Sequence, residues 1–333
     1  MINDDAKLNP KLFDTDVELV PSRNGFGEGL VVAGEENPNV VALCADLTES
    51  TRIEDFKKKF PERFFEVGVA EQNLVTVASG LAAVGKVPFT SSYATFSPGR
   101  NWEQIRTTIC YNDQPVKIIG SHAGISVGPD GATHQALEDM AIMRALPNMV
   151  VICPADSIEA KKATIAMAKN DKPTYMRLGR EKTPVMTTDQ SPFEIGQAEV
   201  LTEGNDVAII ACGQMVYYGL LTAVELKKSN INVRVINCHT IKPLDKKTIL
   251  SAAEECRAIV TAEEHQVHGG LGSAISELVS QHFPVPMKII GIEDHYGESG
   301  QQAELLEKFG LTKEALQKAV TSVLRMKEKK NGH

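Results

Sequence analysis

Residues 64–92, FFEVGVAEQNLVTVASGLAAVGKVPFTSS, hold one repeating unit of the architecture. From Glu71 to Val84 the residues are mainly small and apolar, over a length that suits a packed helix. VPFTSS (87–92) behind them has the length and composition of a buried strand. The same alternation continues outward in both directions. Strand-length runs stand at 39–46 (NVVALCAD), 115–120 (PVKIIG), 149–156 (MVVICPAD) and 173–178 (PTYMRL). Others follow at 206–212 (DVAIIAC), 233–238 (VRVINC), 258–264 (AIVTAEE) and 287–293 (MKIIGIE). Helices are expected between them at Ser22–Glu36, Glu71–Val84, Asn101–Tyr111, Gln135–Ala145 and Ser157–Lys169. A second set is expected at Tyr217–Lys228, Asp245–Glu255, Gly270–His282 and Thr312–Lys327. Strands that alternate with helices predict an α/β fold, here two doubly wound units, the second the smaller.

The chain has 333 residues, 42% apolar and 23% charged, which is the balance of an ordinary globular protein and disfavours disordered, collagen-like and coiled-coil readings. A net charge of −8 argues against general nucleic-acid binding, which needs clustered Lys and Arg to neutralise phosphates. Apolar stretches such as Val207–Cys212 fall far short of the ~20 residues of a bilayer span. The opening MINDDAKLNP carries acids where a secretory signal carries bases, so a cytoplasmic protein without membrane contact is expected. Six widely spaced cysteines without a C-x-x-C pair are expected to be buried free thiols. The stretch 181–196, EKTPVMTTDQSPFEIG, has no sustained period and reads as a linker, dividing the chain into domains 1–188 and 189–333.

Gly25, Gly27 and Gly29 are spaced wrongly for a dinucleotide turn and read as helix packing. His268-Gly-Gly-Leu-Gly272 lies between a strand and a helix, where glycines serve tight turning or an anion; turning is favoured. Tyr93 and Phe96 are read as core residues, with a flat wall for a ring as the other choice. Glu71 opens its helix, where an acid ordinarily complements the dipole. Set among Val67, Val69, Ala70, Leu74 and Val75, it would also be desolvated and suited to proton exchange. The loop 121–140, SHAGISVGPDGATHQALEDM, carries His122, Asp130 and His134 after a strand, where α/β folds keep their chemistry. The histidine spacing does not suit a zinc pair.

Taken together, VGVAEQN, GPDGATHQALEDMAIMRALPNM, PSRNGFGEGL and ADLTES resemble, in order and spacing, the motifs of the transketolase family of thiamine diphosphate enzymes. The resemblance covers nearly the whole chain and corresponds to the C-terminal part of such enzymes. It implies that Glu71 hydrogen-bonds the cofactor's aminopyrimidine and that Tyr93 and Phe96 flank that ring, with Asp46 near the cofactor. A further aromatic common in the family is replaced by Gly99. The resemblance also implies that Arg23, Ser50, His122 and Arg180 grip a sugar phosphate, Arg177 being the alternative to Arg180. Asp130 would read a substrate hydroxyl, and His134 would move protons beside the donor carbonyl. His122 is expected to act as a cation.

The Gly-Asp-Gly motif that carries the diphosphate and its Mg²⁺ or Ca²⁺ in the family does not occur in this sequence, and no metal ligand is assigned to this chain. The resemblance therefore implies a separate N-terminal, diphosphate-binding subunit as partner, in an assembly of two plus two chains. Transfer of a two-carbon ketol unit from a ketose phosphate to an aldose phosphate is the expected reaction. Half of a 1-deoxyxylulose-5-phosphate synthase, a 2-oxoacid dehydrogenase beta subunit and a non-catalytic paralogue are the alternatives. PSRNGFGEGL, ADLTES and the GATHQALED loop favour transketolase over the first two. Glu71 and His134, both in place, argue against the third.

Overall fold

A computed structural model describes residues 2–331. Its larger sheet has seven strands, in spatial order Thr240–Lys242, Val150–Ile152, Thr174–Arg177, Lys117–Ser121, Val87–Tyr93, Val40–Cys44 and Phe64–Glu66. Neighbours run parallel except for Thr240–Lys242, which is antiparallel to Val150–Ile152. The smaller sheet has five strands, in the order Met287–Ile292, Ile259–Gln266, Val207–Ala211, Val233–Asn237 and Glu199–Thr202. Only Glu199–Thr202 runs antiparallel to its neighbour. The α/β class with two doubly wound units is the architecture observed.

Val40–Cys44, Lys117–Ser121 and Val207–Ala211 are buried at every position, as strands covered on both faces must be. One apolar core joins Val41, Ile118 and Val151 of the larger sheet to Ile210, Ile236 and Ile259 of the smaller, so the two halves share an interior. The strand Thr240–Lys242 strengthens that junction, since it comes from the second half and completes the first sheet.

Helix Ser22–Glu36 lies directly on helix Ser157–Lys169. A Cβ at Gly25 would stand 1.7 Å from the Ser157 carbonyl oxygen, so glycine is what lets the helices touch. The His268–Gly272 segment is a turn, and the helix behind it is closed by the protein's own Glu263. That carboxylate accepts from the backbone amides of Leu271 (2.7 Å) and Gly272 (2.8 Å).

Two expectations, both helix bounds, need correction, and the segment read as a linker is in part ordered. The helix expected over Gln135–Ala145 is confined to Asp139–Arg144, because Ala136 and Leu137 give their carbonyls to Gly124 and Gln266. The helix expected over Asn101–Tyr111 begins at Trp102 and widens into a π-helix over Ile105–Cys110. In the segment read as a linker, Lys182–Pro184 pairs with Leu19–Pro21, and the Asp156 carboxylate accepts from the amides of Met186 (2.7 Å) and Thr187 (2.6 Å). The six cysteines are buried and free. No helix among the described residues is long and apolar enough to cross a membrane.

Candidate active site

Parallel strands of the larger sheet deliver their following residues to one edge, the usual place for a ligand crevice in such sheets. Asp46 follows Val40–Cys44, Glu71 follows Phe64–Glu66, Tyr93 ends Val87–Tyr93, His122 follows Lys117–Ser121 and Arg180 follows Thr174–Arg177. Residues far apart in sequence are neighbours here because the sheet is parallel.

Glu71 is buried at the first residue of helix Glu71–Ala83, and its backbone carbonyl accepts from Asn101 Nδ2 at 2.8 Å. It is not the lone acid that its apolar neighbours suggest. Arg100 Nη1 donates to both carboxylate oxygens, at 3.1 and 3.2 Å. The Arg100 guanidinium also lies over the Phe96 ring, 4.2 Å from its centre, while its side chain remains 53% exposed. Tyr93 and Phe96 are only partly buried, with nearly parallel rings, 17° apart and 6.1 Å between centres, so they are not sealed in the core. Gly99 has a local cause, because a Cβ there would fall 2.0 Å from the Thr95 carbonyl oxygen. Arg100, next in sequence, covers the ring face instead. Sequence reasoning missed Arg100, and its place four residues after Phe96 was the available signal.

Across the crevice, Arg23 Nη1 donates to the Ser50 carbonyl at 2.6 Å and stands 3.2 Å from His122 Nε2. The His122 ring stacks on Tyr93 at 3.9 Å, and its Nδ1 is 2.9 Å from Ser121 Oγ. Burial, then the charges of Arg23 and Arg180, push the His122 imidazole down to about 3, so it is neutral at pH 7. The expectation that His122 acts as a cation is therefore corrected: Arg23 already occupies the position of charge beside it. Arg180 Nη1 donates to the Val127 carbonyl at 2.7 Å and pairs with Asp130 at 3.4 Å. Arg177 is buried elsewhere, bound to Asp139 and to the carbonyls of Ala136 and Glu264. Arg180 is thus the arginine in the crevice, and Arg177 holds the core.

The loop carrying Asp130 and His134 is fastened from the second half of the chain. Glu264, fully buried, accepts from the Ser126 amide (2.7 Å) and from Gln214 Nε2 (2.6 Å). Gln135 Nε2 donates to the carbonyls of Ile125, Gly128 and Glu298. His134 then meets the edge of Phe96 at 5.4 Å, with its Nδ1 3.0 Å from Thr133 Oγ1. Glu264 and the Glu298 carbonyl hold the loop from more than 130 residues away and were not legible in advance, since nothing local pairs them with Ser126 and Gln135. Asp46 is exposed with a left-handed backbone (φ 58°), and its amide is held by Glu66 Oε1 at 2.7 Å.

Does this crevice suit an aminopyrimidine? A planar cation now spans the Phe96 face and the buried Glu71 carboxylate. A flat, hydrogen-bonding heterocycle asks for the same two features, so the residues present fit that end of the cofactor. Among the described residues no cluster of three or more His, Cys, Asp or Glu that could hold a metal occurs.

Comparison with known proteins agrees with the class the site defines. Residues 19–186 match the transketolase pyrimidine-binding domain, and residues 196–316 the transketolase C-terminal domain. The chain belongs to the transketolase family. It is 42% identical to a putative transketolase C-terminal section of Methanocaldococcus jannaschii, over 90% of this chain and 94% of that one. It is 38% identical to a subunit of a 6-deoxy-6-sulfo-D-fructose transketolase of Clostridium sp. (strain MSTE9), over 95% and 98%. A solved structure described as a split-gene transketolase, an inactive beta4 tetramer, superposes with a TM-score of 0.87 at 45% identity, covering 92% of this chain and 99% of that one.

Proposed function

We propose that this chain is the C-terminal subunit of a two-chain transketolase, working with thiamine diphosphate and moving a two-carbon ketol unit from a ketose phosphate to an aldose phosphate. Residues 1–188 would form its pyrimidine-binding domain and 189–333 its C-terminal domain. The observation that carries the reading is one connected set of contacts: Arg100 joins the buried Glu71 carboxylate to the Phe96 face, Phe96 neighbours Tyr93, and His122, stacked on Tyr93, stands beside Arg23. The likeness to split-gene relatives supports the division between two polypeptides.

Each role belongs to a residue on this chain. When bound, thiamine diphosphate supplies the acidic carbon on which ketol transfer depends. Glu71 would hydrogen-bond the aminopyrimidine ring nitrogen and share a proton with it, which favours the imino tautomer, a task for a carboxyl group shielded from water. Phe96 and Tyr93 flank the ring, and Asp46 lies near it. His134, at the edge of Phe96, exchanges a proton beside the donor carbonyl, while Asp130 orients a neighbouring hydroxyl. Arg23 and Arg180 bind the phosphate through guanidinium forks. Ser50 and neutral His122 hold Arg23 and complete the grip. Mg²⁺ or Ca²⁺ and the diphosphate are assigned to an N-terminal partner subunit, in a heterotetramer of two plus two chains, and a cytoplasmic location goes with this reading.

The test is reconstitution. Alone, the chain should show no ketol transfer and only weak cofactor binding. With a partner chain carrying Gly-Asp-Gly, turnover should appear on addition of Mg²⁺ or Ca²⁺. Tight, metal-dependent thiamine diphosphate binding to the isolated chain by calorimetry would overturn the division of labour.

A further inference from the structure

Two residues beyond Ser50 stands Arg52, which none of the motifs includes. Its backbone is left-handed (φ 64°), a conformation that non-glycine residues rarely adopt, and its amide is held by the Glu49 carbonyl at 3.0 Å. Arg52 Nε donates to Asn24 Oδ1 at 3.1 Å. Asn24 is the helix neighbour of Arg23, whose Nη1 binds the Ser50 carbonyl at 2.6 Å. The two arginines are therefore tied to one helix turn and to one short backbone stretch, each bracing the other's support.

Among the described residues no carboxylate stands within ion-pair distance of Arg23 or Arg52, whereas Arg180 has both Asp130 (3.4 Å) and Glu181 (3.5 Å). Arg23 Nε is moreover buried without a partner. Burial, then the charges of Arg52 and Arg180, hold Arg23 below its ordinary pKa, and Arg52 also bears on His122. Two guanidiniums thus stand close enough to bear on one another and on His122, with no carboxylate in direct contact and, of the carboxylates, only Glu181, farther off, acting against the charge of Arg23. Like charges set together in a partly buried crevice repel one another, and an anion between them offsets that cost. Charge matching then favours an anion that carries two charges.

We propose that Arg52 is a third guanidinium of the anion grip and the residue that makes the crevice select a doubly charged phosphate over a singly charged sulfonate. This rests on reading the Arg23 cluster as the phosphate grip. A phosphate monoester is a dianion above its second pKa of ~6, while a sulfonate of the same shape stays a monoanion. The discrimination therefore comes from charge, with little help from size.

The experiment uses the full chain and two size-matched probes at pH 8, glycerol 3-phosphate and 2,3-dihydroxypropane-1-sulfonate, titrated by calorimetry. Wild type should favour the phosphate by about ten-fold or more. Arg52→Met should weaken phosphate binding by about ten-fold and sulfonate binding by about two- to three-fold, the range expected for one charge-assisted contact. Arg52→Lys, which keeps the charge and loses the fork, should fall between, and it stands in if the methionine variant does not fold. Arg23→Met runs in parallel. If it loses phosphate and Arg52→Met does not, Arg52 is structural and the proposal fails while the grip stands. If Arg52→Met weakens both probes equally, charge selection fails. If neither variant changes phosphate binding, the reading of the crevice as a phosphate site fails with it.

Discussion

At the carboxyl edge of the larger sheet Glu71 meets a guanidinium that is half exposed; in the smaller sheet Glu263 meets two backbone amides and no solvent. Both acids are buried and both adjoin the first turn of a helix. Only one is available for chemistry. Glu263 is consumed by the fold, because its two oxygens satisfy helix donors that would otherwise lack partners. The Glu71 carboxylate is held by the half-exposed Arg100 side chain, so exchanging that partner for a ligand would break no backbone hydrogen bond of Arg100 with it. Availability is decided by the partner, since the residue type and the burial are the same.

The largest effect that would break this contrast is at Glu71. In the reconstituted enzyme Glu71→Gln should lower the rate by about 10²–10⁴, the usual span for a positioned acid–base group. Its thermal midpoint should stay level or rise, since burying a carboxylate is costly. Proton exchange at the cofactor's thiazolium carbon running at the wild-type rate would remove the assignment. Glu263→Ala should behave in the opposite way, losing about 2–4 kcal/mol of stability by orphaning two buried amides. Denaturant unfolding gives that number, and turnover per folded enzyme should hardly move.

A third acid sharpens the comparison through pH. Glu159 is buried at the junction of the halves and accepts from the Ala155 amide (2.6 Å) and from Asn237 Nδ2 (2.7 Å). Burial, then the nearby Asp156, raise its carboxyl to about 8. The folded form therefore keeps a proton that the unfolded chain releases near 4.5, and stability should fall as pH rises from about 4.5 to 8, by on the order of 5 kcal/mol. Glu159→Gln should flatten that slope, as read from denaturant midpoints across the range.

Smaller changes belong to the crevice. Arg23→Ala should raise KM for a sugar phosphate about ten-fold, with less effect on kcat and several-fold less on unphosphorylated hydroxypyruvate. Equal losses on both substrates would make Arg23 structural. Arg100→Met frees the Phe96 face and the Glu71 carboxylate at once. Because a half-exposed ion pair is worth ~0.2–1 kcal/mol, cofactor affinity in the assembled enzyme should rise no more than about two- to five-fold by calorimetry. A large loss would show that Arg100 holds the cofactor and does not compete with it.

Sequence alone determined the parallel α/β architecture, and helices 22–36 and 157–169 run where periodicity set them. Strand runs such as Val207–Ala211 and packed helices carry their burial pattern locally, so local chemistry is enough. It also offered His122, Asp130 and His134 as candidates from the residue types of one loop, and Glu71 from its apolar surroundings, whereas Arg180 entered only through the resemblance to transketolases. Tertiary structure alone decided their neighbours. Arg100 on Glu71, Arg52 beside Arg23, a neutral His122, Arg177 withdrawn into the core and the Glu264 anchor of the 121–140 loop all depend on contacts between segments remote in sequence or on the turn that joins them. A protonation state or an ion pair is set by distance and burial. Those quantities come into existence only when the chain has closed on itself.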